Sequence, residues 1–173
     1  GVYRGPALWL TGFPEQARRA SDDKDANARR RGHPFDRALA LTLGAQTFEL
    51  MRDPETLLAR TEEAEAVAAE HGMALISGIM ARLSRGCAAI MLGEHREGAA
   101  MLDEAITRFH ATGHRVWLSY LRARQAEAMA QDGDPRAALA IVADSLRHYE
   151  RTKERVHLPE VLRISGGLHL AAG

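Results

Sequence analysis

One cysteine, Cys87, is all the thiol that the 173-residue chain holds. A lone cysteine excludes an intrachain disulfide and a cysteine-rich zinc site, and it fits a reducing compartment. Aromatic residues are few: 4 Phe, 2 Trp and 3 Tyr. β-Branched residues are scarce as well, with 6 Val, 6 Ile and 8 Thr against 31 Ala and 20 Leu. That balance turns the chain away from sheets and toward helices. No apolar run approaches the roughly 18 residues that a membrane span needs, and no stretch reads as a signal peptide. An excess of one charge is also missing, since 23 Lys and Arg balance 23 Asp and Glu. A dedicated nucleic-acid or membrane-surface binder would carry such an excess. With 46% apolar residues and only 6 prolines, disorder is excluded too. The expectation is an all-α, cytoplasmic protein. Arg outnumbers Lys 21 to 2, a bias common in GC-rich bacterial coding sequence. The chain opens on Gly1 rather than Met and closes at Gly173, and we expect a C-terminal fragment of a longer protein.

What is present is a repeat. One series of turn signals reads Gly12-Phe13-Pro14, Arg52-Asp53-Pro54, Gly93-Glu94-His95 and Gly133-Asp134-Pro135. Its third residues lie 40, 41 and 40 positions apart. A second series reads Gly32-His33, Gly72-Met73, Gly113-His114 and, without its glycine, Lys153-Glu154, with the same spacing. Glycine supplies the left-handed conformation that ends a helix, and proline suits the first turn of the next. Between the turns, apolar residues step by three and four, as in Leu75, Ile76, Ile79, Met80, Leu83 and Cys87, which makes one helical face. The spacing predicts about nine helices, near 4–11, 14–31, 35–51, 54–71, 73–92, 95–112, 114–132, 135–152 and 158–171. Repeats fall at 1–33, 34–72, 73–113 and 114–153, with a half repeat at 154–173. The expected architecture is one domain, a right-handed α-solenoid of antiparallel helix pairs in which neighbouring pairs supply each other's core. Ser165-Gly166-Gly167 is a poor helix interior, so the last helix is expected to fray there. Gly5-Pro6 marks the first helix as incomplete.

Two of the pairs join their helices through a leucine, a glycine and an alanine, as Leu10, Gly12 and Ala17 in the first and Leu92, Gly93 and Ala99 in the third. This resembles the tetratricopeptide repeat, lengthened to the period of the two turn series. The stretch Ala7–Ala17, the turn Gly32-His33-Pro34-Phe35, and Gly98–Ile106 followed by Ala111-Thr112-Gly113 are similar to repeats of large bacterial ATPase–cyclase proteins. Those proteins join a class III adenylate or guanylate cyclase domain to an AAA-type signalling ATPase and a C-terminal helical array of the MalT type. The resemblance covers the whole chain and implies a sensor or scaffold region, whose partners are a protein or peptide or the parent's own ATPase and cyclase domains. A LuxR-like, MalT-type transcription regulator is the alternative parent. Neither enzymatic activity is expected within these residues. The only lysines, Lys24 and Lys153, follow no phosphate-loop glycine pattern, and no strands are expected to carry cyclase metal ligands.

Several residues invite chemistry. His110 and His114 have the four-residue spacing of two helical metal ligands, but Gly113 lies between them at a turn. His33, His71 and His114 all fall at second turns, where a histidine caps a helix. No metal and no cofactor are expected. Cys87 lies on an apolar face and reads as a small buried hydrophobe. Arg18, Arg19 and Arg29-Arg30-Arg31 could hold phosphate, yet Asp22, Asp23 and Asp25 interleave. Arg18–Asp22 and Arg19–Asp23 have the spacing of local helical ion pairs, so nucleic acid is not an expected partner. Glu62, Glu63, Glu65 and Glu70 read as a solvated face. Trp117, Tyr120 and Arg124 share one stretch of a first helix. Tetratricopeptide-like arrays line their groove with first helices, so these three are the candidate partner groove. The alternative is packing: steps of 41 bring Trp117 onto Ile76 and Phe35, Tyr120 onto Ile79 and Ala38, and Arg124 onto Leu83. Exposed end repeats also allow a homo-oligomer.

Overall fold

The computed structural model describes residues 3–153 and 155–173. Gly1 and Val2 lie outside them, and so does Glu154 of the last expected turn. Among the described residues every regular element is helical. The order is α1 (Arg4–Leu10), α2 (Pro14–Arg31), α3 (Pro34–Leu50), α4 (Pro54–Glu70), α5 (Ala81–Met91), α6 (His95–Ala111), α7 (Leu118–Gln131), α8 (Pro135–Thr152) and α9 (Leu158–Ala172). A π-helical turn, Ile76–Met80, leads into α5. The all-α class and the nine helices therefore agree with the sequence, mostly to within a residue at each end.

The turns show why. All six prolines stand in the first three positions of a helix, where a missing N–H goes unneeded. Asp53 and Asp134 cap α4 and α8 by accepting from the backbone N–H of Thr56 and Ala137 at 3.1 and 3.0 Å. Eight helix ends place a residue at positive φ: Gly12, Gly32, Arg52, Gly72, Gly93, Gly113, Gly133 and Lys153. Successive members follow at one constant interval, except that the step from Gly72 to Gly93 is longer by a single position. The π-helical turn lies inside that longer step and takes up the extra residue, as π-bulges do. The unequal step between turns in the sequence thus has a structural cause. Arg52 and Lys153 adopt φ of 58° and 60° without being glycine.

Two expectations about helix ends are corrected. The seventh helix begins at Leu118 instead of residue 114, because Trp117 takes φ 66° and residues before it fold back on α6. Arg115 donates to the carbonyls of His110 and His114, and the His114 ring stacks on Phe109 at 4.5 Å. The last helix runs through Gly166 and Gly167 to Ala172 without a break.

The chain clusters into two compact units, one ending at Leu92 and the other spanning Gly93–Gly173. The boundary falls inside the expected repeat at 73–113, so its two helices belong to different units. In the first unit each helix packs on the next in sequence, and α3 also packs on α1 and α5. Its core joins Ala38 and Leu41 of α3 to Ala64, Val67 and Ala68 of α4 and to Ile76. Gly5 lets α1 approach α3 closely, since a Cβ there would lie 2.4 Å from Thr47 Oγ1. In the second unit α6 to α9 pack in the same serial way, and α7 also packs on α9. Ala123 and Ala126 of α7, Ala138, Val142 and Tyr149 of α8, and Val161, Ile164 and Leu168 of α9 share one core. Alanine at the crossings brings helix axes close and leaves the larger side chains to fill the space between. No helix among the described residues is long and apolar enough to cross a membrane.

Candidate functional site

The three residues of the expected groove do lie together at the start of α7, but they offer little surface. Trp117 is half-buried at the N-cap position. Tyr120 is buried and stacks on the His157 ring at 4.5 Å. Arg124 is 1% exposed and is the largest fully buried side chain among the described residues. Its Nη1 donates to Glu127, whose other oxygen accepts from Arg163 of α9, and Arg163 also reaches Glu160. The hydrogen bonds that Arg163 donates to Glu160 raise its pKa, burial works against the rise, and Glu127 adds to it. Arg124 and Arg163 thus clamp α7 to α9 through one carboxylate. Tyr120 and Arg124 are thus buried within this unit and present little side-chain surface to a partner.

The other singled-out residues also settle into structural positions. Cys87 is buried, as its apolar face predicts. His71 Nδ1 lies 3.0 Å from the Val67 carbonyl at the end of α4, and His114 Nδ1 lies 2.7 Å from Thr112 Oγ1. Arg18 and Asp22 do not pair with each other. Arg18 reaches Asp53 at 3.2 Å, and Asp22 holds Arg60 of α4. Both guanidinium groups lie over the ring of Phe48, at 5.0 and 4.7 Å, where cation–π attraction favours them. Arg19 and Asp23 form no ion pair among the described residues. Arg29 bonds Asp25 at 3.1 Å within its helix and crosses to Glu63 at 2.6 Å.

The acidic stretch of α4 is likewise not merely solvated. Glu63 collects Arg29 of α2 and Arg37 of α3, and Glu65 takes Arg85 of α5 at 2.7 Å. Burial pushes the Glu63 carboxyl upward, but the Arg37 hydrogen bond and the charges of Arg29 and Arg37 outweigh it and hold its pKa below the ordinary value. Asp53 is treated alike: burial raises its pKa, and the hydrogen bonds from Thr56 and Arg18 bring it below normal. The arginine surplus therefore laces neighbouring helices of the first unit together.

That unit also holds two surface clefts. The smaller, about 310 Å³, lies between the α2–α3 turn and the end of α4 and is edged by Arg29, His33, Arg37 and His71. The larger, about 540 Å³, is bounded by Arg4 of α1, by Ala20, Lys24, Ala28 and Arg31 of α2, and by Asp36, Leu39 and Ala40 of α3. Burial in its wall lowers the Lys24 amine to about 8. Helical patterning passes over Lys24, which stands among charged neighbours on an ordinary-looking face. The signal that marks it is the repeat register. Eight residues before a left-handed helix end stand Ala64, Ala105 and Ser145, all small and buried, and at the same place in α2 stands Lys24.

No group of three or more His, Cys, Asp or Glu able to hold a metal ion occurs among the described residues. Comparison with known protein families, with curated proteins and with solved structures finds no match.

Proposed function

We propose that the chain is a tetratricopeptide-like α-solenoid region, a non-catalytic scaffold or sensor that regulates a bacterial signalling ATPase or nucleotide cyclase. The observation that carries this reading is the even spacing of the eight left-handed helix ends, constant to within one position from Gly12 to Lys153. An array with that spacing places equivalent surfaces at regular intervals, which suits the docking of an extended partner. The partner is a protein or peptide, or the ATPase and cyclase modules of the same polypeptide. Packing of alternate helices, α3 on α1 and α5 and α7 on α9, supports the solenoid arrangement within each unit. Curvature would respond to a docked partner through small rotations between pairs, and an attached module would read that change.

A second reading is the sensor region of a MalT-type transcription regulator. The open, charged cleft of the first unit favours it, because such a regulator needs a place for an inducer. The native reading frame around the chain tests both. A phosphate-loop ATPase, with or without a cyclase domain, in the same frame supports the first reading, and its activity should change when this region is deleted. A helix-turn-helix domain in the frame supports the second. A frame coding for this region alone overturns the regulatory assignment. Solution scattering tests the architecture, because a solenoid gives a longer maximum dimension than a globule of 173 residues.

A further inference from the structure

We propose that the edge of the second unit where Val116 and Val156 stand before α7 and α9 docks an extended, acidic segment of a partner protein whose apolar residues are spaced three apart. The inference rests on the docking-scaffold reading and deepens it by naming the place and the partner's chemistry.

The repeat register picks out the edge. The second helices end at the left-handed residues Gly32, Gly72, Gly113 and Lys153. Three positions after each stand Phe35, Leu75, Val116 and Val156, which are 49, 39, 56 and 54% exposed. They are four of the ten exposed large apolar side chains among the described residues. Single exposed apolar residues are ordinary, but one that recurs at every equivalent position of a repeat is not scattered. Neighbouring helices do not cover the position. Phe35 has the first helix that follows it, α5, in place; Leu75 has the one that precedes it, α3; both stay open. Val116 and Val156 repeat this in the second unit, where α7 packs on α9. The exposure therefore belongs to the repeat position and not to a missing neighbour.

The second unit repeats more than the valine. Arg115-Val116-Trp117-Leu118 and Arg155-Val156-His157-Leu158 are one pattern 40 positions apart, and α7 and α9 open on the two leucines. Each arginine turns back on the end of the preceding helix. Arg115 Nη1 donates to the carbonyls of His110 and His114 at 3.1 and 3.0 Å, and Arg155 Nη1 donates to that of Tyr149 at 3.3 Å. The bonds hold the exposed Arg115 guanidinium in place, which lowers the cost of ordering it around a ligand carboxylate. Residues 108–117 and 148–157 carry five Arg and Lys against two Glu, in a chain whose charges balance. The equivalent residues of the first unit, 27–36 and 67–76, carry three Arg against Asp36 and Glu70. Cations at helix carboxyl ends are common; an arginine joined to an exposed valine at the same place twice is what marks this edge.

The spacing sets the ligand. Directly packed helices such as α7 and α9 have axes about 8–10 Å apart, and α8 returns the chain between them, so both valines stand at one end of the unit. Three residues of polyproline II conformation rise about 9.3 Å and bring residues i and i+3 to one face. A segment with apolar residues at that spacing and carboxylates around them meets both valines and the cations together. An anionic bilayer is the poorer match, because interfacial anchors are Trp, Phe and Leu.

The test is fluorescence anisotropy of the labelled peptide Gly-Glu-Leu-Glu-Glu-Leu-Glu-Gly, titrated with the full chain. Saturable binding that weakens as salt rises is expected. Replacing its leucines by serine, or its glutamates by lysine, should cost about tenfold in affinity. Val116→Ser with Val156→Ser should weaken binding by about fivefold. Both valines are exposed, so this variant should fold, and circular dichroism checks that it does. Phe35→Ser with Leu75→Ser should leave the affinity unchanged. The proposal is overturned if the peptide does not bind, if the serine or lysine peptide binds as tightly, or if the valine variant binds like the wild type. It is overturned too if the first-unit variant loses as much as the valine variant. Vesicles of phosphatidylcholine and phosphatidylserine that bind the chain when the peptide does not would give the edge to a membrane. A dimer in sedimentation velocity that the valine variant loses would give it to a second copy. A failed titration with an ATPase in the reading frame removes this edge and keeps the scaffold. A bound peptide with a frame coding for this region alone keeps the edge and removes the regulatory assignment.

Discussion

Arg52 and Lys153 hold positions that six glycines fill elsewhere in the chain. An L-residue in the left-handed region is disfavoured by about 1–2 kcal/mol. Glycine removes that strain but adds unfolded-state entropy worth about 0.4–1 kcal/mol. Arg52→Gly should therefore gain roughly 1 kcal/mol of backbone stability. The arginine side chain makes contacts of its own, so the clean comparison is Arg52→Gly against Arg52→Ala. Both remove the side chain, and only alanine keeps the Cβ. The glycine variant should be the more stable by about 1 kcal/mol, and the Lys153 pair should repeat the result. Gly12→Ala and Gly93→Ala give the reverse experiment. A Cβ at either site meets nothing within 4 Å, so any loss is backbone strain. Urea unfolding followed by circular dichroism measures each difference. Thermal unfolding adds a second reading: about 1 kcal/mol shifts the midpoint by about 3 °C if the chain melts as one body and about 5 °C if the first unit melts alone. If Arg52→Ala proves as stable as Arg52→Gly, the claim that these turns carry left-handed strain is wrong.

Three other perturbations follow from the packing and the charges. Gly5→Ala drives a Cβ to 2.4 Å from Thr47 Oγ1 and should destabilise by about 1–3 kcal/mol; Gly5→Ala with Thr47→Ala should recover part of the loss in a double-mutant cycle, and additivity would show that the contact does not matter. The Glu63 pKa is depressed in the folded state, so its contribution is full above the unfolded value of 4.5 and is lost as pH falls through the lower, folded value. Glu63→Gln should flatten the acid limb of the stability curve below about pH 4.5, an effect of about 1 kcal/mol for a half-exposed pair, and an unchanged acid limb would discount the network. The Lys24 pKa is lowered to about 8 in the fold from 10.5, so the unfolded chain holds more protons between those values and stability should rise with pH across that window. The charged groups that line the cleft with Lys24 are Arg4 from α1, Asp23 and Arg31 from α2, and Asp36 from α3. Lys24→Ala should remove that rise and raise stability at neutral pH, as measured by urea midpoints across pH 7–11.

The helices were legible in the sequence because their punctuation is local. Pro14, Pro54 and Pro135 start helices, and Gly12, Gly93 and Gly133 end them, whatever the rest of the chain does. The non-helical start before Leu118 was not legible, because Trp117 takes a left-handed conformation that its residue type does not favour. The ion pairs show the same limit. Arg18 and Asp22 have ideal helical spacing, yet each finds a partner on α4 or at its cap, because geometry across helices competes with geometry along one.

Arg124 carries the larger lesson about the candidate site. Steps of 41 set it against Leu83, but those steps cross the extra residue that the π-helical turn absorbs. Gly32 to Arg52 and Gly113 to Gly133 are equal steps with no such insertion, so the sounder register sets Arg124 against Leu43, and Leu43 is buried. The position is interior in both helices, and the charge is accommodated by Glu127 and not by solvent. Lys24 stands at an equally interior position of its repeat, yet it is only half-buried and lines a surface cleft. A charged residue at a core position of a repeat is thus accommodated where a neighbouring helix supplies the counter-charge, and it then becomes a clamp, as Arg124 does through Glu127 and Arg163.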